Sequence, residues 1–329
     1  MTQLLRVGIA GTGAYLPEKI VPNSWFEGFL DTSDEWIRKR TGIGERRYVA
    51  DHECTSTLSI EAGRLACESA GIDPADLDMI VLGTLTPDYQ LPSCAVLVQD
   101  GLGAKNASAF DCSSACTGFV NAAQIGEAMI ASGRAKRVLA IGAEVLSRSL
   151  NFEDRGSCIL FGDGAGAAVL TPFDDCKQGE FLKGSMGSDG SGYEFIHMPA
   201  GGAAKRPTPE MFEERDHYIT LQGRAVYRFA VQKMGELIEE MLEGQDRSEL
   251  GMIVPHQVNL RIIEAAIERL DIPIDKVMLN IEQYANTSAA TVPIALDQAR
   301  REGRLEPGKL VVLVAFGAGV TWGASLLRW

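Results

Sequence analysis

Residues 111–120 read Asp111-Cys-Ser-Ser-Ala-Cys-Thr-Gly-Phe-Val120 and place a cysteine where an apolar strand turns into a helix. The apolar run at 107–110 fits the strand, and the small and apolar residues that follow fit a helix ended by Gly133. Cys116 then lies in the first helical turn, where free N–H groups and the helix dipole favour the thiolate over the thiol. We therefore predict that Cys116 is a nucleophile.

The competing interpretation is that Cys116 is an ordinary core residue, because free cysteine is among the most buried residue types. Cys112, four residues earlier, could also indicate a redox pair or half of a metal site. The chain has no Cys-x-x-Cys motif, and no second Cys or His pair follows at ligand spacing. We predict no metal or redox cofactor, and the case for Cys116 depends on partners elsewhere in the chain.

Composition limits the possible functions. The 329 residues are 46% hydrophobic and 23% charged, as is usual for a globular protein, with a net charge of −13. Such an acidic chain is a poor candidate for binding nucleic acid. Seven cysteines without disulfide spacing suit a reducing compartment. Neither a secretory signal nor an apolar run long enough to span a membrane is visible, so we expect a cytoplasmic protein.

Local patterns predict several elements in the first part of the chain. Residues 7–15 suit a strand punctuated by glycines, and 79–82 a buried strand. Thr32 and Glu35 have the spacing of a capping box, which predicts a short helix that stops near Gly42. A further helix is expected over residues 55–70, closed by Gly71.

The order of these patterns repeats in the second half of the chain. Leu77-Asp-Met-Ile-Val81 matches Leu250-Gly-Met-Ile-Val254, and each is followed by a candidate helix, a short apolar stretch and a loop of small residues. Those loops are 113–118 and 285–290. The repeat predicts two related α/β halves with mostly parallel sheets covered by helices. Loops at equivalent strand ends then face a shared cleft.

Two further polar residues fall on these loops. His256 follows the second-half strand, and Asn286 lies in the small-residue loop. Each alone is more often structural, since a lone histidine is common and Asn-Thr-Ser is an ordinary helix cap. Together with Cys116 they supply one nucleophile and two hydrogen-bond donors. We predict that these three residues are catalytic.

At this point the chain resembles the 3-oxoacyl-(acyl carrier protein) synthase III family over its whole length. Any one matching motif is weak, but seven in order are specific. The motifs are Asp31-Thr-Ser-Asp-Glu-Trp36, Arg40-Thr-Gly-Ile43, Ala115-Cys-Thr-Gly-Phe119, Phe161-Gly-Asp-Gly-Ala-Gly-Ala167, Pro255-His-Gln257 with Asn259-Leu-Arg261, Asn286-Thr-Ser-Ala-Ala-Thr-Val-Pro293, and Phe316-Gly-Ala-Gly319 with Thr321-Trp-Gly323. The resemblance implies a thiolase-like fold of αβαβα layers, with a nucleophile half at 1–172 and a His/Asn half at 173–329.

The motifs also separate the chain from other enzymes of that fold. Degradative thiolases use a second cysteine near the C-terminus, whereas this chain has none after Cys176. Elongating ketosynthases use two histidines, whereas Asn286 occupies the second of those places. The resemblance therefore implies the initiating condensing enzyme of fatty-acid synthesis. Such an enzyme loads Cys116 from acyl-coenzyme A and condenses the acyl group with malonyl-acyl carrier protein, as a homodimer.

The resemblance assigns further roles around the nucleophile. Backbone N–H groups of Cys116 and Ala318 would form the oxyanion hole, although many relatives have glycine at the second place. If that position needs a positive φ, alanine would be strained by roughly 1 kcal/mol or more. Trp36 would stack on the coenzyme A adenine, with Arg40 and Arg155 at its phosphates or ring. The alternative is that these are a helix anchor and two solvated arginines.

Other assignments concern the acyl group and the carrier protein. Leu91 and Phe161 would contact the acyl chain, with Leu91 standing where many relatives place a phenylalanine that reaches into the partner subunit. The smaller leucine leaves branched or longer primers open. Arg261 and Arg269 would receive the acidic carrier protein, unless they are simply a solvated helix face. No role is assigned to Arg224.

Two other functions stay open from the sequence. A relative in secondary metabolism could use the same acyl-cysteine with another acceptor or donor. A noncatalytic thioester-binding subunit would share the fold, although the presence of all three catalytic residues argues against it.

Overall fold

The computed structural model describes residues 4–329. In chain order, strands β1 to β13 are Val7–Tyr15, Lys19–Pro22, Glu45–Tyr48, Met79–Gly83, Ser108–Cys112, Val138–Glu144, Gly164–Pro172, Glu180–Ser188, Ile196–His197, Thr220–Leu221, Leu250–Pro255, Leu310–Gly317 and Thr321–Arg328. Helices α1 to α11 are Asn23–Glu27, Asp34–Thr41, Thr55–Ala70, Cys94–Gly101, Gly118–Ala131, Phe173–Cys176, Glu210–Glu213, Gly223–Leu242, Leu260–Glu268, Ile281–Tyr284 and Thr291–Arg301. Short 3-10 turns connect several of these elements.

Two sheets share one topology, which confirms the predicted duplication. The prediction of mostly parallel sheets is wrong, because β1, β7, β8 and β13 pair antiparallel with their neighbours and make both sheets mixed. The first has the order β1-β7-β6-β4-β5, with β4 parallel to β5 and β6, and with β7 antiparallel to β6 and β1. The second has the order β8-β13-β12-β11 with the same directions. Strand β12 is parallel to β11 and antiparallel to β13, and β13 is antiparallel to β8. Val277 makes a parallel bridge to Ile253 where the first sheet has β5.

The sheets and helices form the five layers αβαβα that the resemblance implies. Alternate strand residues divide between two cores, because side chains alternate across a strand. In β4, Val81 faces the central core that contains α5 and α11, whereas Ile80 and Leu82 face α3 and α4. In β12, Leu313 faces the same central core and Val312 faces α8 and α9. The central helices α5 and α11 therefore lie between the two sheets.

Close backbone approach occurs beside the nucleophile loop, within the first half at Gly83 and between the two halves at Gly142. A Cβ atom added to Gly83, at the end of β4, would lie 2.2 Å from the carbonyl carbon of Gly118. A Cβ atom on Gly142 in β6 would lie 2.2 Å from the carbonyl oxygen of Ala289. Both distances are far shorter than van der Waals contact, so only glycine fits at these positions.

Local sequence patterns located several elements correctly and one cap incorrectly. Helix α3 spans the predicted residues 55–70, and Gly71 follows it in the left-handed conformation. The cap of α2, however, is Ser33 and not Thr32: the Ser33 hydroxyl accepts from the Trp36 N–H at 3.1 Å. The register differs by one residue because Ser33 is itself a good cap in extended backbone, and the free N–H of Asp34, the first helical residue, is satisfied by the Glu27 carboxylate.

The strands of the first sheet all lie within 7–172, and those of the second within 180–328. We retain residue 172 as the proposed end of the first half. Across the described residues, none of the helices combines the length and the apolar composition that crossing a membrane would need.

Candidate active site

Loops from both halves meet in one cavity of about 380 Å³. Cys116 follows β5, His256 follows β11, and Asn286 follows α10. All three line this cavity, so the structure brings together the residues that the sequence marked as catalytic. The walls are mostly apolar, which is usual for a site that binds a small molecule and orients it with a few polar groups.

The nucleophile lies in a tight turn. Ala115 has φ of 49°, a left-handed conformation that is uncommon for a residue other than glycine. It opens the 3-10 turn Ala115–Thr117, which leads directly into α5. The Thr117 hydroxyl donates to the Ser114 carbonyl at 2.6 Å and fixes the turn. Cys116 is thereby held half-buried against the cavity at the start of the helix.

The second half repeats this turn without the cysteine. Ser288 also has φ of 49° and opens the turn Ser288–Ala290, which leads into α11. The same 36 residues separate Met79 from Ala115 and Met252 from Ser288. Ala289 therefore occupies the position in the second half that Cys116 occupies in the first. This differs by one residue from the match that pairs the loops 113–118 and 285–290 by sequence.

Burial, and not the helix dipole, dominates the acidity of Cys116. Removal from water raises the pKa of the thiol to about 12, and the nearby Ser288 hydroxyl only partly opposes this. The expectation that the helical turn makes the thiolate the favoured form is therefore wrong for the site as it stands. The thiol needs another route for its proton before it can attack.

His256 is neutral and firmly positioned. Its backbone N–H donates to Val314 at 2.8 Å, and its ring meets the Phe316 ring edge to face at 5.7 Å. Burial lowers the pKa of the ring to about 3, so at neutral pH the imidazole carries a single proton. Ring atom Nδ1 lies 2.7 Å from Oγ1 of Thr291.

The Thr291 hydroxyl contacts both that ring and the Ser288 carbonyl. Its Oγ1 lies 2.7 Å from Nδ1 of His256 and donates to the Ser288 carbonyl at 2.9 Å. In this arrangement Nδ1 carries the ring proton and donates to Oγ1. The Ser288 carbonyl also accepts from the Thr291 backbone N–H, so the hydroxyl can turn and donate to Nδ1, which leaves the ring proton on Nε2.

Asn286 presents an amide donor to the cavity. Its backbone is held by two bonds of 3.0 Å, to the carbonyl of Leu160 and from the N–H of Gly162. The Ser288 N–H donates to the side chain at 2.8 Å, so the atom it meets must be the oxygen Oδ1. The amide nitrogen Nδ2 has no acceptor among residues 4–329 and is free for a ligand.

Ala318 lies in the link between β12 and β13 and lines the cavity. Its φ is not positive, so the condition for backbone strain at this alanine is not met; Gly319, with φ of 129°, takes the unusual conformation. A Cβ atom on Gly317 would lie 2.8 Å from the Cys116 nitrogen, which shows how closely this link approaches the nucleophile. The Ala318 N–H finds no acceptor within 4–329 and stays a predicted oxyanion donor.

Trp36, Arg40 and Arg155 form one cluster on the wall of the same cavity. The Arg40 and Arg155 guanidinium carbons lie 4.9 and 4.7 Å from the Trp36 ring centroid. Arg155 also donates to the Asp31 carbonyl. A stacked indole with two cations suits an aromatic anion such as a nucleotide. The assignment to coenzyme A stays a prediction.

The remaining predicted residues are dispersed. Phe161 lines the cavity and pairs with Asn286 through a β-bridge. Leu91 is 86% exposed and is not part of this chain's own cavity wall, so its role across a dimer stays a prediction. Arg261 and Arg269 are exposed at the two ends of α9, and Arg224 is exposed near the start of α8, outside the cavity.

Three residues around the catalytic set were not predicted from the sequence. Two are Thr291 and Ser288, and the third is Glu144, which is fully buried at the end of β6. Glu144 accepts from the hydroxyls of Thr86 and Ser288 at 2.6 and 3.2 Å. A carboxylate at the carboxyl end of the apolar strand 138–144 was the available signal, because ligands bind beyond the carboxyl ends of parallel strands in α/β sheets.

Comparison with known proteins agrees with this geometry. Two family models match: the 3-oxoacyl-[acyl-carrier-protein (ACP)] synthase III model over residues 110–190 and its C-terminal model over 242–329. The chain is 47% identical to the beta-ketoacyl-[acyl-carrier-protein] synthase III of Clostridioides difficile (strain 630), over 98% of each chain.

Solved structures give the same result. The 3-oxoacyl-[acyl-carrier-protein] synthase III of Aquifex aeolicus VF5 matches with a TM-score of 0.90 and 44% identity, over 98% of this chain and 100% of that one. The priming beta-ketosynthase from the R1128 polyketide biosynthetic pathway matches with a TM-score of 0.91 and 34% identity, over 100% and 98%. The chain therefore belongs to the 3-oxoacyl-[acyl-carrier-protein] synthase III family.

Proposed function

We propose that this condensing enzyme takes an acyl group from acyl-coenzyme A onto Cys116 and condenses it with malonyl-acyl carrier protein. The products are a 3-oxoacyl-acyl carrier protein, coenzyme A and carbon dioxide. The observation that carries the proposal is the convergence of one thiol and two hydrogen-bond donors, Cys116, His256 and Asn286, from two halves of the chain in one cavity.

In the first step the Cys116 sulfur attacks the thioester carbonyl of the acyl-coenzyme A. The carbonyl oxygen becomes negative, and the N–H groups of Cys116 and Ala318 stabilise it. Loss of one such donor typically costs about 3 kcal/mol of transition-state stabilisation. The bond to the coenzyme A sulfur then breaks, and the acyl group stays on the enzyme, which divides one difficult transfer into two easier steps.

Binding energy for the first step comes from the cluster of Trp36, Arg40 and Arg155. These residues line the same cavity as Cys116, so one extended ligand can contact both. We propose that the indole stacks on the adenine and that the guanidinium groups meet its phosphates. The pantetheine arm then spans the apolar part of the cavity towards the sulfur.

In the second step malonyl-acyl carrier protein loses carbon dioxide. The electron pair from the broken C–C bond passes to the thioester oxygen as an enolate, which must be stabilised. Nε2–H of His256 and Nδ2 of Asn286 are the donors that we assign to this oxygen. The enolate carbon then attacks the acyl-cysteine carbonyl, the C–S bond breaks, and Cys116 is released for another cycle.

Partners and assembly belong to the same proposal. We propose that acidic acyl carrier protein docks near Arg261 and Arg269, where local positive charge offsets the negative charge of the whole chain. Two copies would associate so that Leu91 of one reaches the acyl site of the other. The proposed location is the cytoplasm.

A second candidate function is the priming step of a polyketide pathway. It is favoured by the full-length match to the R1128 priming ketosynthase and by Leu91, which is smaller than the phenylalanine of many relatives. A noncatalytic thioester-binding subunit is the third. The three differ in whether the acyl-enzyme forms and in which primer it carries.

Intact-protein mass spectrometry separates them. The protein and a Cys116→Ala variant are incubated with acyl-coenzyme A thioesters of increasing length and branching. We expect an acyl adduct only on the parent, and its consumption with 3-oxoacyl product after malonyl-acyl carrier protein is added. No adduct with any thioester would contradict the proposed function, and an adduct that never condenses with malonyl-acyl carrier protein would contradict its second half.

A further inference from the structure

Glu144 is a fully buried carboxyl group to which the proposed steps give no role. Burying a carboxylate is costly unless hydrogen bonds compensate. The loop after β4 provides several: the Thr84 hydroxyl at 3.2 Å, the Leu85 and Thr86 N–H groups, and the Thr86 hydroxyl at 2.6 Å. These bonds all reach oxygen Oε2, and through them Glu144 fixes the position of this loop.

The other oxygen of Glu144 has a further partner. Oε1 accepts from the Ser288 hydroxyl at 3.2 Å, across the boundary between the two halves, and also from the Leu85 N–H at 3.3 Å. Ser288 and Cys116 line the same cavity, the turns that carry them (Ser288–Ala290 and Ala115–Thr117) pack against each other, and the Ser288 hydroxyl lowers the pKa of the thiol. The hydroxyl therefore lies between the nucleophilic sulfur and a buried carboxylate.

Ser288 is held in this place by its own backbone. Its φ of 49° is unusual for serine, its N–H donates to Asn286, and its carbonyl accepts from Thr291. A conformation of this kind persists only where the surrounding structure enforces it, and such residues cluster at functional sites. The strained residue contacts Asn286 directly and is linked to His256 through Thr291.

We propose that Glu144 accepts the thiol proton of Cys116 through the Ser288 hydroxyl. The S–H bond breaks as its proton passes to Oγ of Ser288, and the proton that Oγ already carried passes to Oε1 of Glu144. The resulting thiolate attacks the acyl carbonyl. When the tetrahedral adduct collapses, the same path returns the proton to the departing sulfur, so the carboxylate is restored.

This path gives the thiol proton an acceptor within the buried site. Burial raises the pKa of Glu144 to about 7, and the negative carboxylate further raises the pKa of the Cys116 thiol. If the proton moves from sulfur to carboxylate, the like charges never coexist, and the two groups titrate as a pair. Other titratable groups that line the cavity are His256, which burial keeps neutral, Arg40, Arg155 and Tyr227.

The return of the proton to coenzyme A rests on the proposed function, but the first transfer does not. Alkylation of Cys116 by iodoacetamide requires the same thiolate and no acyl substrate. Its rate is measured by intact mass from pH 5 to 9, and the Cys116→Ala protein gives the background from the other cysteines. The variants are Glu144→Gln, Ser288→Ala and the two combined.

We expect each single variant to slow alkylation at pH 7 by on the order of tenfold or more, and the combined variant to be no slower than the slower single one. The parent's rate should also follow a group that titrates near pH 7, and this dependence should vanish in Glu144→Gln. An increase in the alkylation rate would be decisive. Faster alkylation in Glu144→Gln would mean that the carboxylate acts only as a repelling charge, and would overturn the proposed proton path.

Two controls separate a structural role from proton transfer. Thr84→Val removes a hydroxyl from the other carboxylate oxygen and should alkylate like the parent. If Glu144→Gln does not fold, Ser288→Ala decides alone, since it leaves the contacts of Glu144 to the loop in place; an unchanged rate there overturns the proposal. If the parent protein is alkylated at the expected rate but gains no acyl group from the thioesters, the result would instead count against the proposed function.

Discussion

The Ser288 N–H donates to Oδ1 of Asn286 at 2.8 Å, and this single bond decides which end of the amide faces the ligand. A backbone N–H can be satisfied only by an acceptor, so the amide oxygen is committed and Nδ2 points to the cavity side. Aspartate has nearly the same shape and keeps that bond, but offers an oxygen where Asn286 offers a donor.

Asn286→Asp should therefore lose decarboxylation while it keeps the fold. We expect malonyl-acyl carrier protein decarboxylation to fall by about 10²–10³-fold, because the enolate loses a donor and meets a negative oxygen. Acyl loading of Cys116 should be much less affected. Release of radiolabelled carbon dioxide and intact mass measure the two steps. Asn106→Asp, at an exposed amide, is the matched control; equal losses of both steps would contradict the assignment.

Thr291 should fix the proton of His256 on Nε2 by turning its hydroxyl from the Ser288 carbonyl to Nδ1. In Thr291→Val the Nδ1 atom loses its hydroxyl partner at 2.7 Å, whereas Thr291→Ser retains one. We expect the valine variant to shift the 15N signals of the ring towards the Nδ1–H tautomer and to lose about tenfold or more in decarboxylation. The serine variant should restore both. A spectrum with the proton on Nε2 in all three proteins would show that another group selects the tautomer.

Much of this arrangement followed from the sequence because its signals are local. The helix at 55–70, the strand at 79–82 and the repeated order of elements depend on periodicity within a short window. Ser288 and Glu144, in contrast, are 144 residues apart and meet only when the two halves pack. The acidity of Cys116 failed as a prediction for the same reason, since burial is a property of the assembled fold.

The neutral buried ring of His256 should make folding stability depend on pH. Its pKa is about 3 in the folded protein against an ordinary value of 6.5, so only the unfolded chain takes up this proton between those values. The contribution of the neutral His256 ring to the free energy of unfolding is present above pH 6.5. It is lost as the pH falls towards 3, by about 1.4 kcal/mol per pH unit.

Urea unfolding of the parent and of His256→Asn at pH 7, 6 and 5 isolates this contribution. The comparison is needed because the raised pKa of Glu144 acts in the opposite direction: its burial penalty is relieved as the pH falls through 7. We expect the stability difference between the two proteins to shrink by about 1 kcal/mol or more from pH 6 to 5. Exposed His52→Asn is the control, and a constant difference would contradict the neutral, buried ring.

Trp36 should contribute to binding of the nucleotide end of the thioester and not to chemistry at the sulfur. Trp36→Ala removes the ring on which both guanidinium groups stack, and we expect KM for acyl-coenzyme A to rise by about tenfold, equivalent to about 1.4 kcal/mol. Loading from an acyl N-acetylcysteamine thioester, which lacks the nucleotide, should be unchanged. Trp36→Phe is the matched variant with partial stacking. An equal loss with both thioesters would place Trp36 in the acyl site.

Leu91 gives a test of the proposed dimer. The side chain is 86% exposed and lies outside its own cavity, so it can affect acyl length only if a second copy brings it to an acyl site. Leu91→Phe adds a bulky ring, and we expect the ratio of kcat/KM for hexanoyl- over acetyl-coenzyme A to fall by about tenfold, since overpacking an apolar pocket costs 1–3 kcal/mol. Leu182→Phe, at an exposed leucine on β8, should leave the ratio unchanged. An unchanged ratio in Leu91→Phe, or a protein that sediments as a monomer, would remove Leu91 from the acyl site.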